Sequence, residues 1–128
     1  MAGEKILNAD DEPYNVRALS YILKREGYDV QTAVDGEDAV MKFEAFRPQV
    51  VFIDLMMPKK NGFEVTHTLR NDPRYRESSP YIIILTGKGE DTEKYKGYLE
   101  GGDEYITKPF SPVEIVGKMR EYFLQRNG

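Results

Sequence analysis

Short apolar runs alternate with longer amphipathic segments along the whole chain. The apolar runs predict five β-strands, at residues 6–9, 28–34, 50–55, 81–85 and 104–107. The third and fourth runs are apolar without interruption, which is typical of parallel strands covered by helices on both faces. The pattern therefore predicts a buried parallel sheet.

The segments between these runs have helical periodicity, with apolar residues three or four positions apart. Pro13 and Pro112 stand at first-turn positions, Ser111 is a candidate N-cap, and Gly27 and Pro48 follow helix ends. Residues 91–100 are predicted as the fourth of five helices. The apolar stripes of the other four are Val16-Leu19-Ile22-Leu23, Ala39-Val40-Phe43-Phe46, Phe63-Val65-Leu69 and Val113-Ile115-Val116-Met119-Tyr122-Phe123.

The resulting order is (βα)5, an alternation that builds a parallel sheet with helices on both faces. With 128 residues, the chain is too short for a (β/α)8 barrel, which needs about twice that length. We therefore expect an open, doubly wound α/β sandwich in which residues 1–128 form a single domain.

Composition narrows the classes of function. The 18 basic and 22 acidic residues give a formal net charge of -4, which argues against a broad surface for nucleic acid or an anionic membrane. The chain has no Cys and a single His, His67, which excludes thiolate and multi-histidine metal sites. No apolar stretch is long enough to cross a bilayer, and the N-terminus lacks the apolar core of a secretion signal. We expect a soluble, cytoplasmic protein.

Polar residues suited to chemistry stand at the ends of the apolar runs. Asp10 and Asp11 follow the first run, Asp54 lies at the end of the third, and Thr86 and Lys108 follow the fourth and fifth. Ligands of open α/β sheets bind at the carboxyl ends of the strands. We therefore expect these residues on one rim of the domain.

Carboxylates gathered on one rim repel one another. Two unpaired charges 4 Å apart cost roughly 4 kcal/mol at an effective dielectric constant near 20. A bound divalent cation or the ammonium group of Lys108 would relieve this repulsion, and oxygen ligands favour Mg²⁺ or Mn²⁺ over Zn²⁺. With the Thr86 hydroxyl, these groups form a set suited to phosphate, in which an ionised carboxylate attacks phosphorus directly.

Taken singly, these residues have plainer interpretations. Asp10 and Asp11 suit the start of a helix, where carboxylates accept backbone hydrogen bonds. Thr86 suits an ordinary strand-end hydroxyl, and Lys108 suits a solvated turn. Their common position beside Asp54 at the strand ends favours a functional site.

Four motifs together resemble the receiver domains of two-component response regulators. They are residues 5–13 (KILNADDEP), residues 51–58 (VFIDLMMP), Leu85-Thr86-Gly87, and residues 105–110 (YITKPF). Each motif is weakly specific by itself, but their order, with each on the expected strand end, makes the set specific. The resemblance covers essentially the whole chain and implies the flavodoxin-like strand order 2-1-3-4-5.

The resemblance also implies the chemistry of the site. Asp54 would accept a phosphoryl group from a phosphohistidine on a histidine kinase or phosphotransfer partner. Thr86 and Lys108 would hold the phosphate, with a cis peptide bond between Lys108 and Pro109. The oxygens that would hold Mg²⁺ belong to Asp10 or Asp11, to Asp54 and to the backbone carbonyl of Met56.

A conformational switch is implied as well. On phosphorylation, Thr86 would move toward the phosphate, and Tyr105, at the family's aromatic switch position, would turn inward. This would change the face formed by the predicted helix 91–100, the fifth strand and the last helix, where a downstream protein would dock.

Other functions fit parts of the pattern. A Mg²⁺-dependent phosphatase of the haloacid dehalogenase class would need a second Asp two residues after its nucleophile, where this chain has Met56. A flavin-binding protein of the flavodoxin type would have Ser, Thr and Gly after the first strand, where this chain is acidic. A degenerate receiver acting as a constitutive scaffold is a further alternative. Whether the chain is free-standing or part of a larger regulator stays open.

Two departures from the family pattern concern buried or helical positions. Asn8 and Ala9 stand where the family usually has two aliphatic residues, and a buried Asn costs about 1–3 kcal/mol unless it is hydrogen-bonded. Gly97 lies inside the predicted helix 91–100, where a glycine costs about 1 kcal/mol relative to Ala. The sequence predicts a marginal helix there and assigns no role to Asn8.

Overall fold

A five-stranded sheet lies between two layers of helices. The computed structural model describes residues 3–87 and 101–127. Its strands are β1 (Lys5–Ala9), β2 (Asp29–Ala33), β3 (Val50–Asp54), β4 (Tyr81–Thr86) and β5 (Glu104–Thr107). Every pairing is parallel and the order is β2-β1-β3-β4-β5, which confirms the expected architecture.

Helices connect the strands on both faces of the sheet. Those within the described residues are α1 (Pro13–Arg25), α2 (Gly36–Phe46), α3 (Gly62–Asn71) and α4 (Pro112–Asn127), the last of which is the predicted C-terminal helix. The prediction of a helix over residues 91–100 lies outside the described residues. None of the helices in the described ranges combines the length and apolar character needed to cross a membrane.

Local signals set the ends of the helices. Pro13 occupies the first turn of α1, and Gly27, just past its end, has a φ of 93° that suits glycine. Asp35 caps α2 by accepting a hydrogen bond from the Asp38 amide at 2.8 Å. Asn61 and Glu64 form a reciprocal capping box at the start of α3.

Strand side chains alternate between two cores. One core packs the sheet against α2 and α3 and includes Leu7, Val51 and Ile53. The other packs the sheet against α1 and α4 and includes Ile6 and Phe52. Because β1 lies between β2 and β3, the order of the chain reverses beside it, and the carboxyl ends of β1 and β3 border the crevice where such sheets bind ligands.

Candidate functional site

Three carboxylates meet where β1 and β3 end. One oxygen from each of Asp10, Asp11 and Asp54 lies within 4.8 Å of the others. Asp10 and Asp54 are only 2% and 4% exposed, whereas Asp11 is exposed. The structure thus brings together the acidic residues that the sequence placed on a common rim.

Backbone hydrogen bonds fix the two buried carboxylates. The Asp10 amide donates to the Ala33 carbonyl at 3.0 Å, which extends the pairing of β1 with β2. The Asp10 Oδ1 atom accepts a hydrogen bond from the Glu12 amide at 2.9 Å. Directly after Asp54, the Leu55 amide donates to Leu85 of β4 at 2.9 Å. Asp10 and Asp54 are therefore attached to paired, buried strand ends.

The plainer interpretation of Asp10 and Asp11 as the N-cap of α1 does not match the structure. The N-cap is Glu12, whose side chain accepts a hydrogen bond from the Tyr14 amide at 3.1 Å. The two aspartates precede the cap, and each has a carboxylate oxygen near Asp54 at the end of β3.

Lys108 supplies positive charge to the cluster. Its Nζ atom donates to Asp54 Oδ1 at 2.9 Å and lies 3.8 Å from Asp10 Oδ2. Its backbone amide donates to the Thr86 carbonyl at 2.7 Å, which ties the end of β5 to the end of β4. The Lys108–Pro109 peptide bond is cis, as the resemblance implied.

The electrostatics of the cluster favour an added cation. Burial raises the pKa of the Asp54 carboxyl to about 6; the hydrogen bond and charge of Lys108 oppose this rise, and the charges of Asp10 and Asp11 add to it. One ammonium does not balance three carboxylates. Because every side-chain ligand offered is an oxygen, the cluster fits a hard divalent ion such as Mg²⁺.

Thr86 neighbours Asp54 in the sheet, and Met56 follows Asp54 in the chain. Thr86 is the buried last residue of β4, one position beyond Leu85, which is paired with Asp54. Met56 follows Asp54 by two residues and its side chain is exposed. Both residues lie at the predicted rim.

Tyr105 lies on β5 with 40% of its surface exposed. A Cβ atom added to Gly102 would lie 3.0 Å from the Tyr105 hydroxyl oxygen and 2.9 Å from the Ile84 Cδ1 atom. The ring therefore packs close to the Gly102 backbone, at a half-exposed position on the edge strand.

The loop after β3 packs tightly against the start of α2, a contact that sequence reasoning missed. A Cβ atom on Gly36 would lie 2.0 Å from the Lys60 carbonyl oxygen, so a larger residue does not fit. The Gly36 amide donates to the Pro58 carbonyl at 3.2 Å, and Lys59 Nζ lies 3.6 Å from Asp35 Oδ2. The loop that follows β3 is thus held against the start of α2.

The face that β5 and α4 form carries a polar and aromatic network, which was also missed. Glu104 accepts hydrogen bonds from the Tyr81 hydroxyl and from Lys118 Nζ. Burial raises the pKa of Glu104, but these two hydrogen bonds outweigh it and lower the pKa below its ordinary value. Tyr81 stacks on Tyr122 with ring centroids 4.4 Å apart. The sequence does not state which face of α4 packs against β4 and β5, so only the structure identifies these residues as a group.

Comparisons of sequence point to one family. The family model described as the response regulator receiver domain matches residues 6–120. The alkaline phosphatase synthesis transcriptional regulatory protein PhoP of Bacillus subtilis is 44% identical over 91% of this chain and 47% of PhoP. Protein PilG of Pseudomonas aeruginosa is 36% identical over 94% of this chain and 87% of PilG. The chain therefore spans about half the length of PhoP and most of the length of PilG.

Comparison of structure agrees. The response regulator protein TrrA of Thermotoga maritima, solved in complex with Mg²⁺ and BeF, has a TM-score of 0.79 and 31% identity. The match covers 92% of this chain and 97% of TrrA. With the same fold, a matching family model and relatives above 30% identity, the chain belongs to the response regulator receiver domain family.

Proposed function

We propose that this chain is a phosphorylation-controlled signalling switch in which Asp54 accepts a phosphoryl group. The observation that carries the proposal is the contact between Lys108 Nζ and Asp54 Oδ1, 2.9 Å apart, inside the cluster of three carboxylates. This contact places the ammonium group of Lys108 against a buried carboxylate, beside a candidate cation site at the crevice of an open α/β sheet.

In the proposed reaction, the Asp54 carboxylate attacks the phosphorus atom of a phosphohistidine on a partner protein. The O–P bond forms as the P–N bond breaks, and the electron pair of that bond leaves with the imidazole nitrogen. The Lys108 ammonium neutralises charge that develops on the transferring oxygens, and the Thr86 hydroxyl donates a hydrogen bond to one of them. In dephosphorylation, water attacks phosphorus, inorganic phosphate leaves and the carboxylate of Asp54 is restored.

Mg²⁺ is the metal that the proposal requires, with Mn²⁺ as a substitute. The residues that would hold it are Asp10 or Asp11, Asp54 and Met56, the last through its backbone carbonyl. When bound, it would supply positive charge beside the phosphoryl oxygens. The oxygen-only donor set supports this assignment, and so does the Mg²⁺–BeF complex of TrrA, whose fold this chain shares.

The proposed phosphoryl donor is a sensor histidine kinase or a phosphotransfer protein, and the proposed target of the signal is a downstream protein. Docking would use the face of β5 and α4, together with the helix that the sequence predicts over residues 91–100, outside the described residues. On this face the half-exposed Tyr105 would turn inward on phosphorylation. Residues 1–128 would act as one regulatory domain, with no turnover of outside substrates.

The test is phosphorylation with acetyl phosphate and Mg²⁺, followed by intact mass. We expect the wild type to gain one acid-labile phosphoryl group and Asp54→Asn to gain none. Asp29→Asn is the matched control, because Asp29 is an exposed aspartate at the first residue of β2, the opposite end of a parallel strand; it should be labelled like the wild type. Equal labelling of Asp54→Asn would contradict the assignment of the acceptor, and no labelling of any variant would favour a constitutive scaffold.

A further inference from the structure

A buried polar contact connects β1 to α1 beside the acidic cluster. Asn8 lies on β1, two residues before Asp10, and is 1% exposed. Its amide nitrogen Nδ2 donates to the Val16 carbonyl at 3.2 Å and to the Ser20 hydroxyl oxygen at 3.1 Å. The side chain of Asn8 therefore reaches two successive turns of α1.

The first half of α1 has few other anchors. The buried residues of the helix are Leu19, Ser20 and Leu23, all in its second half. Residues 13–18 are exposed or half-buried. The hydrogen bond from Asn8 to Val16 thus holds the part of α1 that apolar packing holds least.

This part of α1 is coupled directly to the acidic cluster. Only three residues, Asp10, Asp11 and Glu12, separate the end of β1 from the start of α1. The Glu12 amide, which donates to Asp10 Oδ1 at 2.9 Å, belongs to the N-cap of the helix. Because the connection is so short, a displacement of the first turn of α1 displaces Asp11 and Glu12 with it.

Stability alone does not account for an asparagine at this position. The Asn8 Oδ1 atom is buried and has no hydrogen-bond partner among the described residues. A buried acceptor left without a partner opposes folding, whereas an aliphatic side chain of similar size carries no such penalty. Asn8 therefore trades stability for a directed contact with α1.

We propose that Asn8 is a positioning residue for the metal and phosphoryl site. By fixing the first turn of α1 through Val16, it sets the position of Asp11 and, through the Glu12 amide, the orientation of the Asp10 carboxylate relative to Asp54. This inference rests on the proposed function, because the geometry that it controls matters only if the carboxylates bind Mg²⁺.

The test is Asn8→Leu, which keeps the size of the side chain and removes both its donor and its unpartnered acceptor. We expect urea unfolding to show a stability equal to or above that of the wild type. Isothermal titration with Mg²⁺ should give a Kd at least threefold higher than that of the wild type. The increase should stay below about 100-fold, the largest loss typical for groups that hydrogen-bond a metal ligand directly, because Asn8 acts through α1. Amide exchange at Val16, whose amide donates to the Glu12 carbonyl at 3.1 Å, should become faster.

Ser20→Ala is the matched control, because it removes the second partner of Asn8 and leaves the Val16 bond in place. Its Kd for Mg²⁺ should stay within twofold of the wild type. A Kd for Asn8→Leu within twofold of the wild type would overturn the inference. Failure of Asn8→Leu to fold would overturn it too, because the role of Asn8 would then be stability. If the wild type itself binds no Mg²⁺, the proposed function fails, while exchange at Val16 still tests the anchoring of α1.

Discussion

Asp54 carries its charge in surroundings that disfavour it. Burial raises the pKa of its carboxyl to about 6, and the neighbouring Asp10 and Asp11 oppose ionisation further. The hydrogen bond from Lys108 keeps the group ionised at pH 7 in spite of this. A carboxylate that is poorly solvated and yet ionised is a stronger nucleophile than one in water, which is what an acceptor of phosphoryl groups needs.

The raised pKa of Asp54 predicts an unusual pH dependence of stability. The folded protein binds this proton more tightly than the unfolded chain, whose pKa is near 3.8. The contribution of Asp54 to stability is therefore fully present below pH 4 and is lost as the pH rises through 6. In EDTA, we expect urea unfolding to show Asp54→Asn more stable than the wild type by about 1–3 kcal/mol at pH 8, with little difference at pH 4.

Asp29→Asn serves as the control for this measurement, since Asp29 is exposed. It should show no gain that grows with pH. An advantage of Asp54→Asn that is largest at pH 4 would mean that the folded protein stabilises the charged form of the Asp54 carboxyl, which is the opposite of a raised pKa.

Some residues of the site were predictable from the sequence and others were not. The difference is whether their contacts follow from the position of a residue on its strand or depend on how a distant helix packs. Asp10, Asp54 and Lys108 each end or follow a strand, and parallel pairing brings such ends to one rim without further information. The partners of Asn8 depend on the rotation of α1 about its axis, which the sequence does not state. The partners of Arg70 depend in the same way on the rotation of α3. Arg70 donates to the Gly101 and Pro80 carbonyls at 2.8 Å each and to Asp103 Oδ2 at 2.7 Å.

At the scale of elements, every predicted strand begins and ends within one residue of the observed strand. The sequence predicts strand β2 at 28–34, for example, and the strand runs from Asp29 to Ala33. A strand end lies where an apolar run gives way to polar or turn residues, which is a local feature, so local sequence predicts it. The packing of the β3–α3 loop against α2 is not local, and nothing in the sequence marked Gly36 as its contact point.

Two glycines of the helices should respond in opposite ways to the same substitution. Gly36→Ala places a Cβ atom 2.0 Å from the Lys60 carbonyl oxygen, so the start of α2 and the loop after β3 must separate. We expect a loss of at least about 2 kcal/mol in the free energy of unfolding.

Gly117→Ala, inside α4, places a Cβ atom that meets no atom of the described residues within 4 Å apart from the nearby backbone of its own helix. The substitution should raise that free energy by about 1 kcal/mol through helix propensity. Urea unfolding of both variants provides the comparison, and each controls for the effect of replacing glycine in the unfolded chain. Equal effects of the two substitutions would show that the close approach at Gly36 is absent in solution.

At the scale of the whole molecule, the site exists only when the sheet is assembled. Asp54 and Lys108 are 54 positions apart in the chain and 2.9 Å apart in space. Asp10 comes from a third segment, directly after β1, which is the strand beside which the order of the chain reverses. An unfolded chain holds these groups far apart, so a cation that needs all of them binds the folded state alone.

Mg²⁺ should therefore stabilise the entire fold by mass action. At ten times its Kd, the expected gain is about 1.4 kcal/mol in the free energy of unfolding, measured against NaCl of equal ionic strength. Asp10→Asn should lose most of this gain. Lys108→Ala should keep or exceed it, because the ammonium that lies 2.9 Å from Asp54 and 3.8 Å from Asp10 competes with Mg²⁺ for the same carboxylates. A smaller gain for Lys108→Ala than for the wild type would mean that Lys108 gathers the carboxylates for the metal and does not compete with it.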